Sequence, residues 1–325
     1  MLLSVAVGSV LIPPNTLASM LLARLPGANI SVNWPEAFSV ILFQIRLPHT
    51  ALVTLTGAAL AGSGAAYQGL FRNPLADPYL IGVASGAGLG AVLAMASPLS
   101  AQFLGLFTVP AAAFIGALLT VGIVYFLARS GGQIPTTTLI LAGVAVGSFA
   151  SALTSFLMLR SQGELRRAIS WLLGGFSIGG WEPVWAVLPY VVIGLAILWV
   201  SGHALNVLQF GDDQAQQLGI SVERTKLILI AAASLVTAAA VSFSGIIGFV
   251  GLIVPHLVRI VWGPDYRRLI PLSILGGATV LLIADLLARV IMAPEALPVG
   301  VLTALAGAPF FLWVLRRSRG AQLGY

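Results

Sequence analysis

The longest feature of the hydrophobic pattern is a 51-residue run, Pro78 to Ala128, without Asp, Glu, Lys, Arg or His. At about 1.5 Å per residue, one helix of that length would extend roughly 75 Å. A bilayer's hydrocarbon core is about 30 Å thick, so the run is expected to cross a membrane and turn back. Charges and Pro/Gly punctuation divide the chain into about ten apolar segments, near 1–12, 50–70, 79–96, 108–128, 138–159, 184–201, 227–243, 246–262, 269–291 and 299–315. The predicted class is an all-α polytopic membrane protein with about ten transmembrane helices, one domain over 1–325. The first segment is too short to span at about 18 Å. It also has no basic flank for a cleaved signal, so a helix completed by flanking residues, or a start upstream, is expected.

Composition changes the picture only by sharpening it. Charged residues are 8% of the chain, against about 25% in soluble domains. The net charge of +6 comes from scattered arginines, which fits anionic lipid and topology control rather than nucleic acid. With no cysteine and three scattered histidines, no disulfide, metal site or other cofactor is expected.

If both termini are cytoplasmic, Arg72, Arg129, Arg224, Lys226, Arg259, Arg267, Arg268, Arg316, Arg317 and Arg319 fall inside. Arg24, Arg46, Arg160, Arg166, Arg167 and Arg289 then fall outside, a modest positive-inside bias. The halves 50–160 and 227–316 would each hold four spans entered from opposite sides, an expected inverted repeat. Gly57, Gly62, Gly64, Gly82, Gly86, Gly88 and Gly90 sit at small-residue spacing. They are read as close helix packing, or as flexible backbone along a pore.

Four polar features interrupt this pattern. Arg72-Asn73-Pro74-Leu75-Ala76-Asp77-Pro78 must be a turn, because two prolines four apart do not fit one regular helix. Residues 202–226 form the longest polar insert. Asp212 or Asp213 can cap a short helix there, Gly219 can end it, and a second short turn is expected from Ser221. Phe210, Leu218, Ile220 and Val222 give this insert an apolar side, which suggests a docking surface for a soluble partner. Asp285 and Arg289 lie four apart on one helix face. They either neutralise each other or leave Arg289 to meet an acidic partner, and Arg46 with His49 makes a similar basic pair. Thr136, Thr137 and Thr138 either cap a helix or line an uncharged constriction.

The lone lysine, Lys226, lacks any Gly-rich loop before it, so no ATP-hydrolysing P-loop is present. Asp285 is the one acid clearly inside a span, which leaves little material for proton or sodium coupling. No catalytic Ser/His/Asp arrangement stands out, so an intramembrane enzyme is disfavoured. A stand-alone secondary transporter or channel remains the alternative to an ATP-driven one.

Together these residues resemble the FecCD-type permeases, the type II membrane subunits of ABC importers for ferric siderophores, haem and cobalamin. The matching marks run from Phe43 to Arg317. They are Gln44 to Pro48, Gly57 to Ala61, Arg72 to Pro78, Gly82 to Gly86, Leu141 to Val144, Trp171 to Gly175, Gly245 to His256, and Leu297 to Gly300. The resemblance implies a non-enzymatic subunit of the bacterial inner membrane, paired with a second permease copy, commonly as a homodimer. Two cytoplasmic ATP-binding-cassette subunits and an extracytoplasmic substrate-binding protein complete the implied assembly. It implies that Asp212, Asp213, Gln217, Leu218, Gly219 and Ile220 belong to a coupling helix pair docked in an ATPase cleft. Thr136 and Thr137 would form the cytoplasmic gate, and Arg46 and Arg289 would pair with binding-protein glutamates. His49 stands where relatives often carry Arg, and an imidazole makes that contact weaker and pH-dependent. The expected cargo is an iron chelate (ferric siderophore or haem) or cobalamin, with ferric siderophore or haem ranked above cobalamin.

Overall fold

The computed structural model describes residues 1–6, 12–24, 33–97, 105–129, 134–160, 164–176, 178–293, 295 and 297–323. Among them there are helices and no strands. The first half comprises α1 (Leu2–Ala6), α2 (Pro14–Leu22), α3 (Glu36–Val40), α4 (Leu47–Leu70), α5 (Val83–Ala96), α6 (Thr108–Ala128) and α7 (Thr136–Arg160). A connecting section follows: α8 (Leu165–Leu172), α9 (Glu182–Val200), α10 (Gly202–Leu208) and α11 (Asp212–Gln217). The second half is α12 (Val222–Ser244), α13 (Val250–Trp262), α14 (Tyr266–Ile291) and α15 (Val299–Leu323).

Six helical stretches among the described residues are long and apolar enough to cross a membrane, and three shorter apolar helices accompany them. Each of the last nine expected segments is matched by one of these helices. The first is not: α1 ends at Ala6, residues 7–11 lie outside the described set, and α2 is a separate short helix. The second begins earlier than expected. Helix runs on from Glu36 through a π-helical turn at Ile41–Arg46 into α4. Pro48 has no N–H to donate to the Gln44 carbonyl and its ring crowds that turn, so the helix widens there.

Helix lengths repeat between the halves. α4 to α7 have 24, 14, 21 and 25 residues, and α12 to α15 have 23, 13, 26 and 25. The same long–short–long–long order in both marks an internal repeat. Its opening helices, α4 and α12, pack antiparallel. Tyr67 Oη lies 2.7 Å from Ser234 Oγ, and Thr237 Oγ1 donates to Ser63 Oγ at 2.9 Å, so rising numbers on one helix meet falling numbers on the other. Each opening helix also packs on the second and third helices of the opposite half. That is the arrangement of an inverted repeat.

At 14 and 13 residues, α5 and α13 are about 20 Å long and cannot cross alone. Irregular backbone completes each: 77–82, with a 3₁₀ turn at Pro78–Ile81, and 245–249, where Phe249 has φ +69°. Non-helical backbone at membrane depth is tolerated when protein satisfies its polar groups. Here one break satisfies the other. Tyr79 Oη donates to the Ile247 carbonyl at 2.9 Å and accepts from the Ile247 N–H at 3.2 Å.

The core is built on α4, in which every residue from Thr56 to Leu70 is buried. Small residues make this possible. A Cβ on Gly57 would overlap the Gly277 carbonyl of α14, and one on Gly64 the Gly251 carbonyl of α13. In lipid, where apolar burial gives helices no preference for one another, such close backbone contact supplies the cohesion.

Candidate functional site

Polar groups gather at two opposite ends of the bundle. The antiparallel register of α4 and α14 sets the C-terminus of α4, the N-terminus of α14 and the short α10–α11 section at one end. It sets the N-terminus of α4, the C-terminus of α14 and α1 at the other. Arg72, Lys226 and Arg267 share the first end, and Arg46 and Arg289 share the second.

At the first end, α11 forms because Gly211, at φ +110°, turns the chain sharply and Asp212 and Asp213 favour the helix N-terminus. It stops in a Schellman motif. The Gly219 N–H donates to the Gln216 carbonyl and the Ile220 N–H to the Ala215 carbonyl, with Gly219 at φ +84°. No second short turn follows from Ser221. Val222 opens α12 directly, so the short helical pair is α10 with α11, displaced towards the N-terminus of the expected position. The physical reason is that Ser221 ends one loop and Val222 already begins the buried face of a long helix.

Apolar residues of the insert divide into two groups. Phe210 is 66% and Leu218 65% exposed, while Val222 is buried and Ile220 packs partly against the core. Asp213, Gln217 and Gly219 are exposed. Beside them opens a cavity of about 660 Å³, lined in part by Ile134, Pro135, Asp213, Gln216, Ser221 and Arg224. Thr136 and Thr137 start α7 at the edge of this region, Thr136 half-buried and Thr137 exposed.

Asp212 ties this end together. Its Oδ1 accepts from Arg72 Nη2 at 2.6 Å, and its Oδ2 accepts from Lys226 Nζ at 2.5 Å. The sequence gives Lys226 no part in this site beyond its charge, because a lone lysine in a helical run carries no local signal. A third carboxylate, Asp265, caps α14. It accepts from Asn206 Nδ2 at 2.6 Å and from the Arg267 N–H at 3.0 Å, bonds that hold its carboxyl below the ordinary range.

At the second end, Asp285 is sealed. Its Oδ1 lies 2.8 Å from His49 Nε2, and its Oδ2 2.9 Å from Arg289 Nη2. Arg289 Nη2 also donates to the Ser4 carbonyl and hydroxyl of α1. The neutralising pair is therefore formed. Arg46 departs from the expected outward basic pair. Only 6% exposed, it donates to the Val5 and Ala6 carbonyls at 2.8 and 3.0 Å. The cause is α1, whose final carbonyls have no helical partner and accept from the guanidinium instead.

On one flank, α7 is the least enclosed long helix, with Leu141, Val144, Phe149 and Leu159 exposed. A groove of about 760 Å³ runs beside it, lined by Ser85, Gly143, Gly147, Ser148 and Ser151 among others.

A polytopic helical bundle with an inverted repeat, irregular breaks clasped inside it and a structured polar insert is the architecture of a membrane transport protein. The chain matches the FecCD transport family over residues 1–317 and belongs to it. It is 51% identical over 282 residues to the cobalamin import system permease BtuC of Halobacterium salinarum, covering 87% of this chain and 75% of that one. Identity is 42% over 323 residues to the ABC transporter permease YvrB of Bacillus subtilis, covering 99% and 91%. It is 41% over 303 residues to the hemin permease HmuU of Yersinia pestis, covering 91% and 88%. The structure is similar to that of an inward-facing metal-chelate type ABC transporter, with TM-score 0.79, 31% identity and coverage of 93% and 96%. The protein is thus a multi-pass permease subunit of the ABC importer class, not an enzyme.

Proposed function

We propose that this permease moves a metal chelate into the cytoplasm of a bacterial cell by alternating access, driven by two ATP-binding-cassette subunits docked at the α11 end. The observation that carries the proposal is the pairing of two exposed apolar side chains, Phe210 and Leu218, with the adjoining 660 Å³ cavity. A solvated loop gains nothing by exposing such residues beside a concavity, whereas a docked partner would cover them. Asp212, Asp213, Gln217, Leu218, Gly219 and Ile220 are its coupling residues, and Thr136 with Thr137 its gate. Cobalamin and hemin in the relatives' names favour a tetrapyrrole chelate over a ferric siderophore, where the motifs alone ranked siderophore or haem above cobalamin.

A second copy of the chain is proposed to face the exposed side of α7, so that the Ser85–Ser151 groove becomes one wall of the pathway. The α1 end would meet an extracytoplasmic binding protein through His49, Arg289 and Arg46. Reaching Arg46 and Arg289 requires partner carboxylates to replace the α1 carbonyls that now hold them. Inner-membrane placement follows from the same assembly. A stand-alone transporter or channel is disfavoured, because Asp285 is already paired with Arg289 and in contact with His49. Leu218→Asp should abolish association with the ATPase subunits and vesicle uptake of cobalamin or hemin, measured by co-purification and labelled-cargo counting. Unchanged association would overturn the coupling assignment.

A further inference from the structure

Lys226 is the one lysine in the chain, and it is 3% exposed at the start of α12. Burying an ammonium is costly unless its protons find acceptors. Two of them do, on two different elements, and a carboxylate one turn back on its own helix stands just beyond hydrogen-bond range. Nζ lies 2.5 Å from Asp212 Oδ2 on α11, 3.3 Å from the Ile134 carbonyl and 3.6 Å from Glu223 Oε1. Ile134 is itself buried and precedes Pro135, which restricts it to extended backbone and leaves its carbonyl outside the helix that begins at Thr136. Asp212 meanwhile also holds Arg72, at the C-terminal end of α4 and at φ +51°.

We infer that the Lys226 ammonium is the joint through which movement of α11 reaches the start of α7, where Thr136 and Thr137 lie. The inference rests on the coupling role proposed for α11. It assigns a positioning role to a buried residue in the wall of the cavity beside α11, apart from the exposed Phe210 and Leu218 side chains and from the gate. A compact ammonium suits the place. It can serve the two acceptors on different elements and face a third carboxylate from one atom, whereas a guanidinium presents its donors in a planar fork. Without the joint, α11 would still stand in place, held through Arg72 and its own packing through Ala215, but its displacement would no longer pull on residue 134. Coupling of this kind is carried by packed and hydrogen-bonded elements with discrete arrangements.

The test uses the permease assembled with its ATPase and binding-protein partners in vesicles. Lys226→Met should leave ATPase co-purification within about twofold of wild type and lower cargo moved per ATP by about tenfold, a usual size for coupling between sites. Lys226→Arg, keeping the charge, should recover part of that loss. Because the chain has no cysteine, a Thr138→Cys label reads α7 directly. Its ATP-dependent change in reactivity should vanish in the Lys226→Met background. Wild-type transport per ATP and an intact labelling change in Lys226→Met would overturn the joint. Equal loss of ATPase association in both Lys226 variants would overturn it too, by showing a merely structural role. If Lys226→Met does not accumulate, Lys226→Gln, which removes the charge but keeps a polar head, takes its place in the same measurements, and the same outcomes support or overturn the joint. Failure of the coupling assignment itself is distinguished by Leu218→Asp, which would then retain the ATPase.

Discussion

Each end of the bundle sets one aspartate between two nitrogen-bearing side chains, an arginine and an imidazole at one end and an arginine and a lysine at the other, and the two settings differ most in water. The Asp285 side chain is 2% exposed, between His49 and Arg289, while that of Asp212 is 40% exposed, between Arg72 and Lys226. At the α1 end the cluster closes α4 against α14, and no group in it can leave without stranding another. At the α11 end, water reaches the carboxylate and Arg72, so that contact can be exchanged at modest cost, while Lys226 stays buried behind it. A sealed ion cluster suits a rigid closure, and an open one suits a moving contact.

The comparison can be broken hardest at Asp285. Asp285→Ala leaves Arg289 and His49 facing an emptied buried site. Removing one partner from a buried ionic cluster costs about 3–5 kcal/mol, so the thermal unfolding midpoint in detergent should fall steeply or folded protein should fail to accumulate. A wild-type midpoint would mean that this end is hydrated, and the contrast with Asp212 would disappear.

Asp212→Asn should cost less stability, about 1–2 kcal/mol, between the values for exposed and buried pairs. It should nevertheless reduce transport in the same way as Lys226→Met. Raising salt to about 1 M, where charges screen within about 3 Å, should shrink the Asp212→Asn stability loss. It should leave any Asp285→Ala loss unchanged. Equal salt responses would place both clusters in the same environment.

The smallest effect belongs to Asp265, which is held by hydrogen bonds rather than by a cation in contact. Its folded carboxyl titrates below the ordinary value, so its contribution is present above about pH 4. That contribution is lost as pH falls through the ordinary value towards the folded one. Asn206→Ala removes the largest cause of the depression. The difference in unfolding midpoint between wild type and this variant should narrow below about pH 4. A constant difference would show that Asn206 acts only through its second bond, accepted from the Tyr266 N–H.

Local signals make much of this protein legible. The uncharged runs mark nine of the helices, because the requirement for about twenty apolar residues per crossing acts on contiguous sequence. Gly219 foretells the end of α11, since a Schellman motif needs only the residue that tolerates positive φ. The motif Arg72 to Pro78 announces a break in the helix, though not that Tyr79 reaches 168 residues onward to clasp a second break. Ser221 misleads, because a capping residue can open a long helix as readily as a short turn.

What the sequence by itself determined is the set of membrane-crossing segments, their breaks and the family they belong to, because hydropathy, helix period and glycine placement are properties of neighbouring residues. Only the tertiary structure decided which charges meet: Asp212 with Arg72 across 140 positions, Asp285 with His49 across 236, and Arg46 turned inward by α1. A charge in lipid-depth surroundings must find a partner. Sequence states that need but not its solution, which depends on how antiparallel helices align once their glycines have brought the backbones together.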